Sequence, residues 1–319
     1  MKSRASGDNG QPLTPRAMEV LSAICECGAL TSLQISLLCF PLRYNKGEPY
    51  RDSYCLELLK KLREAGLIEE IERYQLKSEG KKAYVYRLTV KGRQVLASWR
   101  KVSVTELPCR QKDSRLSKDY IEHFTLINDF RVVLMRAVFE LGNGACLVTY
   151  YDDMDLKARH SSDRLTITMP GGKVEGNVVL VPDGYFCLSV QEPQPWNYHR
   201  FVEVDRGTEI GRSNAGYNDW VRKIMKYREY TKRGGAYQAR YQIRNVAILT
   251  VTLSEERLAN LKKITEEVGG KRRFWFTSID RIFARKGEPL TKVLSEPIWE
   301  IAGEEGLFHL LWTGEERET

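Results

Sequence analysis

The residues best suited to chemistry in this sequence are three carboxylates in its second half. Asp183 stands in a Pro-Asp-Gly turn, and Glu203 and Asp205 alternate with valines in the run Phe-Val-Glu-Val-Asp. Because side chains alternate across a strand, Glu203 and Asp205 leave the same face. If Asp183 lies on an adjacent strand, the three carboxylates converge. Their repulsion must then be relieved by a cation, a lysine or a bound proton.

These carboxylates predict a weak divalent-cation site with Asp183 and Glu203 as the metal ligands. Oxygen ligands of this kind suit Mg²⁺ or Mn²⁺, and no other cofactor is expected. Lys223 is expected nearby, on a helix predicted from about Gly216 to Arg233. The candidate catalytic residues are Asp183, Glu203, Asp205 and Lys223. The structural alternative is that Asp183 closes a turn while the strand carboxylates and Thr208 join strand to helix.

The elements that must position these carboxylates are predicted to form an α/β domain over residues 118–319. A long apolar stripe predicts a helix from about Lys118 to Gly142, and apolar runs predict the strands after it. Strand and helix then alternate, which indicates a mixed sheet. The predicted strands are 145–150, 177–181, 185–190, 201–205, 246–253 and 274–277, with helices over 216–233 and 255–268.

The first part of the chain has a different pattern, typical of an α+β winged helix-turn-helix domain over residues 13–99. Thr14-Pro15 begins one helix, Thr31 and Gln34 form a capping box for a second, and a third is predicted over 51–65. Two alternating runs, 67–74 and 83–88, then predict a β-hairpin with a basic tip. A fourth helix follows Thr89. In such a fold the third helix enters the major groove and the hairpin contacts the backbone.

Charge is concentrated in the same part of the chain. Residues 1–117 contain 21 Lys and Arg against 13 Asp and Glu, and the remaining 202 residues contain 29 of each sign. A basic segment of this kind favours a polyanionic partner. Arginine, serine and tyrosine on the third helix are placed for base edges, and the lysines suit phosphates. The candidate DNA-binding residues are Arg43, Lys46, Tyr50, Arg51, Ser53, Tyr54, Lys61, Lys77, Lys81 and Lys82.

The remaining segments, the hydropathy and the cysteines of the chain lead to further expectations. Residues 1–12 are expected to be a disordered arm, and 100–117, which lack periodicity, a linker. No apolar run reaches the length that spans a bilayer, so no membrane association is expected. The seven cysteines are scattered and odd in number, which indicates reduced thiols and a cytoplasmic location.

An ordered set of short motifs resembles the replication-relaxation family, whose members occur on plasmids and integrative elements. The resemblance extends from about residue 13 to Trp312 and implies a role in replication or transfer. Its motifs are Leu13-Thr-Pro-Arg, Gly66-Leu-Ile, His123-Phe-Thr-Leu-Ile-Asn-Asp-Phe, Pro182-Asp-Gly and Phe201-Val-Glu-Val-Asp-Arg-Gly-Thr-Glu.

A second resemblance, to the PD-(D/E)xK nuclease core, concerns Asp183 and Glu203. In that core the Asp and Glu bind a divalent cation, and a Lys two positions on orients or activates the attacking water. Here Asp205 occupies the position of that lysine, and Lys223 or Lys226 would have to replace it.

We therefore expect a sequence-preferring double-stranded DNA-binding protein of a plasmid or other mobile element, with a nuclease-like second domain. One alternative is a metal-dependent endonuclease or nickase that uses Asp183 and Glu203. Another is a protein-interaction adaptor of a replication or transfer complex. Replication or transfer proteins, or a second copy of the chain, remain open as further partners.

Overall fold

The computed structural model is a mixed α+β chain whose described residues fall into two compact units. It describes residues 13–42, 44, 45, 48, 49, 52–73, 84–108, 120–191, 195–207, 215–243, 245–283 and 288–311. The first unit comprises the described residues of Met1–Arg136, and the second those of Ala137–Ala284 and Glu288–Thr319. The expected arm, the whole of the hairpin tip and part of the expected linker lie outside the described residues.

The first unit combines helices with a small antiparallel sheet of order β1-β5-β4. Its elements are α1 (Pro15–Cys27), β1 (Leu30–Thr31), α2 (Ser32–Cys39), β2 (Tyr44–Asn45), β3 (Glu48–Pro49), α3 (Ser53–Glu64), β4 (Ile68–Ile71), β5 (Val85–Leu88), α4 (Val90–Arg100), a 3-10 turn at Val104–Glu106, and α5 (Ile121–Leu141) up to Arg136.

Local signals set the helix boundaries in this unit. The Thr14 hydroxyl accepts a hydrogen bond from the Ala17 amide at the start of α1, and Gly28 ends that helix at φ 79°. Thr31 and Gln34 form both hydrogen bonds of the predicted capping box. Close packing fixes a further position, because a Cβ on Gly92 would lie 2.0 Å from the Leu67 carbonyl oxygen.

The second unit is built on a six-stranded mixed sheet of order β13-β12-β11-β10-β9-β6. Strand β10 pairs antiparallel with β9 and parallel with β11, so Glu203 lies opposite Thr250. Its elements are β6 (Ala145–Asp152), α6 (Asp153–His160), β7 (Leu165–Thr168), β8 (Val174–Val178), β9 (Gly184–Val190), β10 (Trp196–Asp205), α7 (Ala215–Tyr230), α8 (Ala236–Tyr241), β11 (Ala247–Thr252), α9 (Glu255–Glu267), β12 (Phe274–Ser278), α10 (Ile279–Ile282), α11 (Lys292–Ser295) and β13 (Glu300–Ile301).

One predicted strand is displaced. The apolar run 177–181 predicted a strand of the main sheet, but the strand is Val174–Val178 and pairs with β7 in a separate hairpin. Only Val178 of this strand is buried, with Leu165 and Ile167 of β7, in the core beneath α7. The apolar run therefore indicated buried residues correctly, but it predicted the wrong bounds and the wrong sheet for the strand.

The main core of the second unit lies between the sheet and helices α7 and α9. Phe201 of β10, Ile248 of β11 and Phe276 of β12 pack there against Ile224 of α7 and Leu261 of α9. Phe201, Glu203 and Asp205 alternate along β10, so the two carboxylates leave the sheet on this helix-covered face. None of the described helices is long and apolar enough to cross a membrane.

Candidate functional site

Helix α3 presents the described part of the predicted DNA-contacting set. Cys55, Leu58, Leu59 and Leu62 are buried, so the opposite face of the helix meets solvent. Ser53 and Tyr54 lie on that face at the first turn, and 49% of Tyr54 is exposed. Lys61 follows two turns later and is also exposed. Arg43, Lys46, Tyr50, Arg51, Lys77, Lys81 and Lys82 lie outside the described residues.

The charged side chains on this helix pair with nearby glutamates. Lys61 Nζ lies 2.6 Å from Glu57 Oε1, and Arg63 Nη1 lies 2.7 Å from Glu70 Oε1. The hydrogen bond and charge of Glu57 raise the pKa of Lys61. Exposed pairs of this kind are weak and are screened by salt. A phosphate group can therefore replace the glutamate as the partner of such a cation.

A hydrogen bond to α2 fixes the position of the first turn of α3. Asp52, the residue before the helix, is buried and accepts a hydrogen bond from the Tyr54 amide at 2.8 Å. Its own amide donates to Ser36 Oγ at 3.0 Å. The direction in which Ser53 and Tyr54 leave the surface is thus fixed by a side-chain contact between two helices.

Helix α5 fixes α2 in turn, and the sequence pattern did not reveal this role. Gln34 Nε2 of α2 donates to Asp129 Oδ1 at 2.7 Å, and Arg136 Nη1 donates to the carbonyls of Leu37 and Phe40 at 3.3 and 3.2 Å. Asn128 Nδ2 donates to the Ala29 carbonyl at 2.8 Å. The only signal was the polar Asn-Asp pair inside an apolar helical stripe, because its partners lie about 100 residues away.

In the second unit, Glu203 is the centre of the predicted acidic site. It is 1% exposed, and both of its carboxylate oxygens have partners on α7. Lys223 Nζ lies 2.5 Å from Oε2, and the Tyr227 hydroxyl donates to Oε1 at 2.5 Å. The structure therefore brings together Glu203 and Lys223, two of the four candidate catalytic residues.

The other two carboxylates are engaged separately. Asp183 Oδ2 accepts a hydrogen bond from the Val204 amide at 2.8 Å, so its carboxylate lies beside the backbone of β10. Asp205 forms a two-pronged ion pair with Arg257 of α9, at 2.7 and 2.9 Å, and also accepts from the Gly207 amide. The Asp205 carboxylate thus has a guanidinium partner of its own. Thr208, the third residue of the polar-network alternative, lies outside the described residues.

The electrostatics of Glu203 follow from this arrangement. Burial raises the pKa of Glu203 to about 7; Lys223 opposes that rise, and the nearby Asp183 carboxylate adds to it. Desolvation lowers the pKa of Lys223, but Glu203 and Asp183 outweigh it and hold that pKa above its ordinary value. An ammonium group therefore supplies the positive charge that the acidic cluster requires.

The same arrangement fits a divalent cation poorly. Glu203 would have to give up a lysine and a tyrosine before it could bind a metal ion. Across the part of the chain that the structure describes, no three His, Cys, Asp or Glu side chains are grouped so that they could hold a metal ion. The donors that are present favour an internal salt bridge over Mg²⁺ or Mn²⁺ binding.

A comparison with known protein families confirms the resemblance that the sequence motifs indicated. A family model described as replication-relaxation matches residues 21–246, more than half of the chain and parts of both units. The matched span includes α3, Asp183, Glu203 and Lys223. No curated protein and no solved structure matches the chain significantly.

Proposed function

Because the chain belongs to the replication-relaxation family, we propose that it is a sequence-preferring double-stranded DNA-binding protein of a plasmid or other mobile element, acting in replication or transfer. The proposal assigns DNA contact to the first unit. The family supports a role in replication or transfer, and the duplex-binding activity is our inference from the residues and their geometry.

The order of elements supports a winged-helix domain over residues 13–99. Helices α1, α2 and α3 precede the antiparallel β4–β5 pair, and α4 follows it. We propose α3 as the helix that reads bases, since its apolar stripe is buried and its first turn is exposed. The segment between β4 and β5, which carries Lys77, Lys81 and Lys82, is then the wing that follows the phosphate backbone.

The observation that carries the proposal is the exposed polar face of α3 in the basic part of the chain. Tyr54 and Ser53 project from the helix start, where they can reach base edges; Arg51, the third predicted base contact, lies outside the described residues. Lys61 lies further along the same helix and pairs with Glu57, which is itself exposed. Residues 1–117 carry the whole net charge of +8, which favours a polyanion here.

The test is a salt titration of duplex binding by the full chain. Replacement of Lys77, Lys81 and Lys82 by Ala should weaken binding to all sequences and flatten the slope of log K against log salt by about 0.9 per lost phosphate contact. The matched control replaces Lys157, Lys263 and Lys271, three exposed lysines of the second unit, by Ala. Equal slopes in the two triple variants would remove the wing from the interface.

The endonuclease alternative rests on Glu203, Lys223 and Asp183, which lie near one another. Its geometry is less favourable, because both Glu203 oxygens are occupied from within the protein. A plasmid-nicking assay with Mn²⁺, with Glu203→Ala as the control, tests it. Nicking that Glu203→Ala abolishes would establish the enzyme. A chain that binds no DNA in either assay would instead favour the adaptor alternative.

A further inference from the structure

Helix α7 and the neighbouring β7–β8 hairpin carry a second group of cations, distant in sequence from the predicted winged helix. We define the α7 basic cluster as Lys173, Arg222 and Lys226. Arg222 and Lys226 are one helical turn apart, so they share a face of α7. Lys173 reaches the same place from the hairpin, since Lys173 and Arg222 both bind Glu175, at 3.1 and 2.7 Å.

Lys226 is the unusual member of this cluster. It is half-buried, and among the described residues no ion pair or hydrogen bond to its ammonium group is found. Partial burial lowers its pKa, and the positive charges of Arg222 and Lys223 lower it further. The carboxylates of Glu203 and Glu175 act on it more weakly than these two cations. The pKa of Lys226 is therefore held down by burial and by two neighbouring cations.

The nearby carboxylates are largely committed to other cations. Glu175 is shared between Lys173 and Arg222, and Glu203 is buried against Lys223. Glu229, one turn beyond Lys226, lies 2.5 Å from Lys232. Asp219, one turn before Arg222 on the same helix, is also acidic and is exposed. An anion that approaches this face meets Lys173 and Arg222, which share one glutamate, and Lys226, which has no ion pair among the described residues.

We propose that the α7 basic cluster binds phosphate groups of a nucleic-acid backbone, as a second contact in addition to that of the winged helix. The side chains of Lys173 and Arg222 are 77% and 42% exposed, so they lie on an open surface. Exposed cations on a helix and a hairpin, here Arg222 and Lys173, suit an extended polyanion, whereas a small anion is usually bound by converging backbone amides.

Lysine acetylation of the full chain tests this contact directly, with modification measured by peptide mass spectrometry. The chain is labelled alone, with inorganic phosphate at matched ionic strength, and with duplex DNA. DNA should protect Lys226 and Lys173 severalfold while Lys263, an exposed lysine of α9, keeps its rate. Lys77, Lys81 and Lys82 report the proposed wing contact in the same experiment, so the two proposals stand or fall separately.

A matched pair of variants gives the second measurement. Lys226→Gln should reduce the salt slope of duplex binding by about 0.9, the amount for one lost phosphate contact, and Lys263→Gln should leave it unchanged. Equal labelling of Lys226 with and without DNA would overturn the proposal. Protection by inorganic phosphate but not by DNA would also overturn it, because the site would then take a small anion.

Discussion

Asp129 in the first unit and Glu203 in the second are both carboxyl groups withdrawn from water, but their partners differ. Asp129 accepts from the neutral amide of Gln34, and burial raises its pKa to about 6. Glu203 accepts from the ammonium of Lys223 and the hydroxyl of Tyr227. Asp129 thus carries a buried charge at neutral pH that the Gln34 amide and the charge of Arg73 offset only in part, whereas Glu203 depends on a directly bonded cation. Both hold helices in place, which leaves ligand contact to exposed residues.

Loss of the cation beside Glu203 should have the largest effect. Lys223→Met leaves a buried carboxylate without its charge partner, and we expect the free energy of unfolding at pH 8 to fall by about 3 kcal/mol. Urea denaturation of the full chain measures this change. The double variant Lys223→Met, Glu203→Leu should recover much of the loss, since it removes the unpaired buried charge, although the Tyr227 hydroxyl then loses its acceptor. A single variant as stable as the parent would show that Glu203 does not need Lys223.

The pH dependence of that loss follows from the pKa of Glu203. The folded pKa of about 7 lies above the ordinary glutamate pKa of 4.5, so the folded state binds more protons between these values. The contribution of Glu203 to stability is therefore present at low pH and is lost as the pH rises through about 7. Lys223→Met should cost less at pH 5.5 than at pH 8, because a protonated Glu203 needs no cation.

Asp129 should respond to substitution in the opposite direction. Asp129→Asn keeps an oxygen that accepts from Gln34 and removes the charge, so we expect stabilisation on the order of 2 kcal/mol at pH 8. The folded pKa of about 6 exceeds the ordinary aspartate pKa of 3.8, so the advantage should fade as the pH drops toward 4. Urea midpoints of parent and variant across this range measure it. A gain that is constant with pH would point to packing instead of charge.

An intermediate effect is expected on α3, where function and not stability should change. Tyr54→Ala should reduce the preference for a selected duplex over a scrambled one by about 1–3 kcal/mol, the value of one base contact. Competition binding after selection from a random library measures this preference. Tyr54→Phe is the control, since it keeps the edge contact between Tyr54 and Phe40. Equal losses on both duplexes would exclude Tyr54 as a base-reading residue.

The smallest effect on stability is expected for Lys61, whose side chain is 64% exposed and paired with Glu57. Lys61→Gln should leave the unfolding midpoint unchanged, because exposed ion pairs contribute little. Binding to all duplexes should nevertheless weaken, with a salt slope lower by about 0.9. An unchanged slope would leave Lys61 outside the phosphate contacts.

The sequence by itself determined the features that depend on neighbours a few residues apart. The capping box of Thr31 and Gln34, the buried stripe of α3 and the strand face shared by Glu203 and Asp205 were all predicted. Each follows from a helical or strand period or from a short-range hydrogen bond, and such interactions are largely specified by the local sequence.

Only the tertiary structure decided which partner each polar side chain received. Asp205 binds Arg257, 52 residues away, and Gln34 binds Asp129, 95 residues away. The hairpin of β7 and β8 also includes Asn177 and Val178, the start of a run that the pattern predicts as a strand of the main sheet. Carboxylates can bind a metal ion, a lysine, an arginine or an amide, and composition does not distinguish these partners. The choice depends on which group folding brings within about 3 Å.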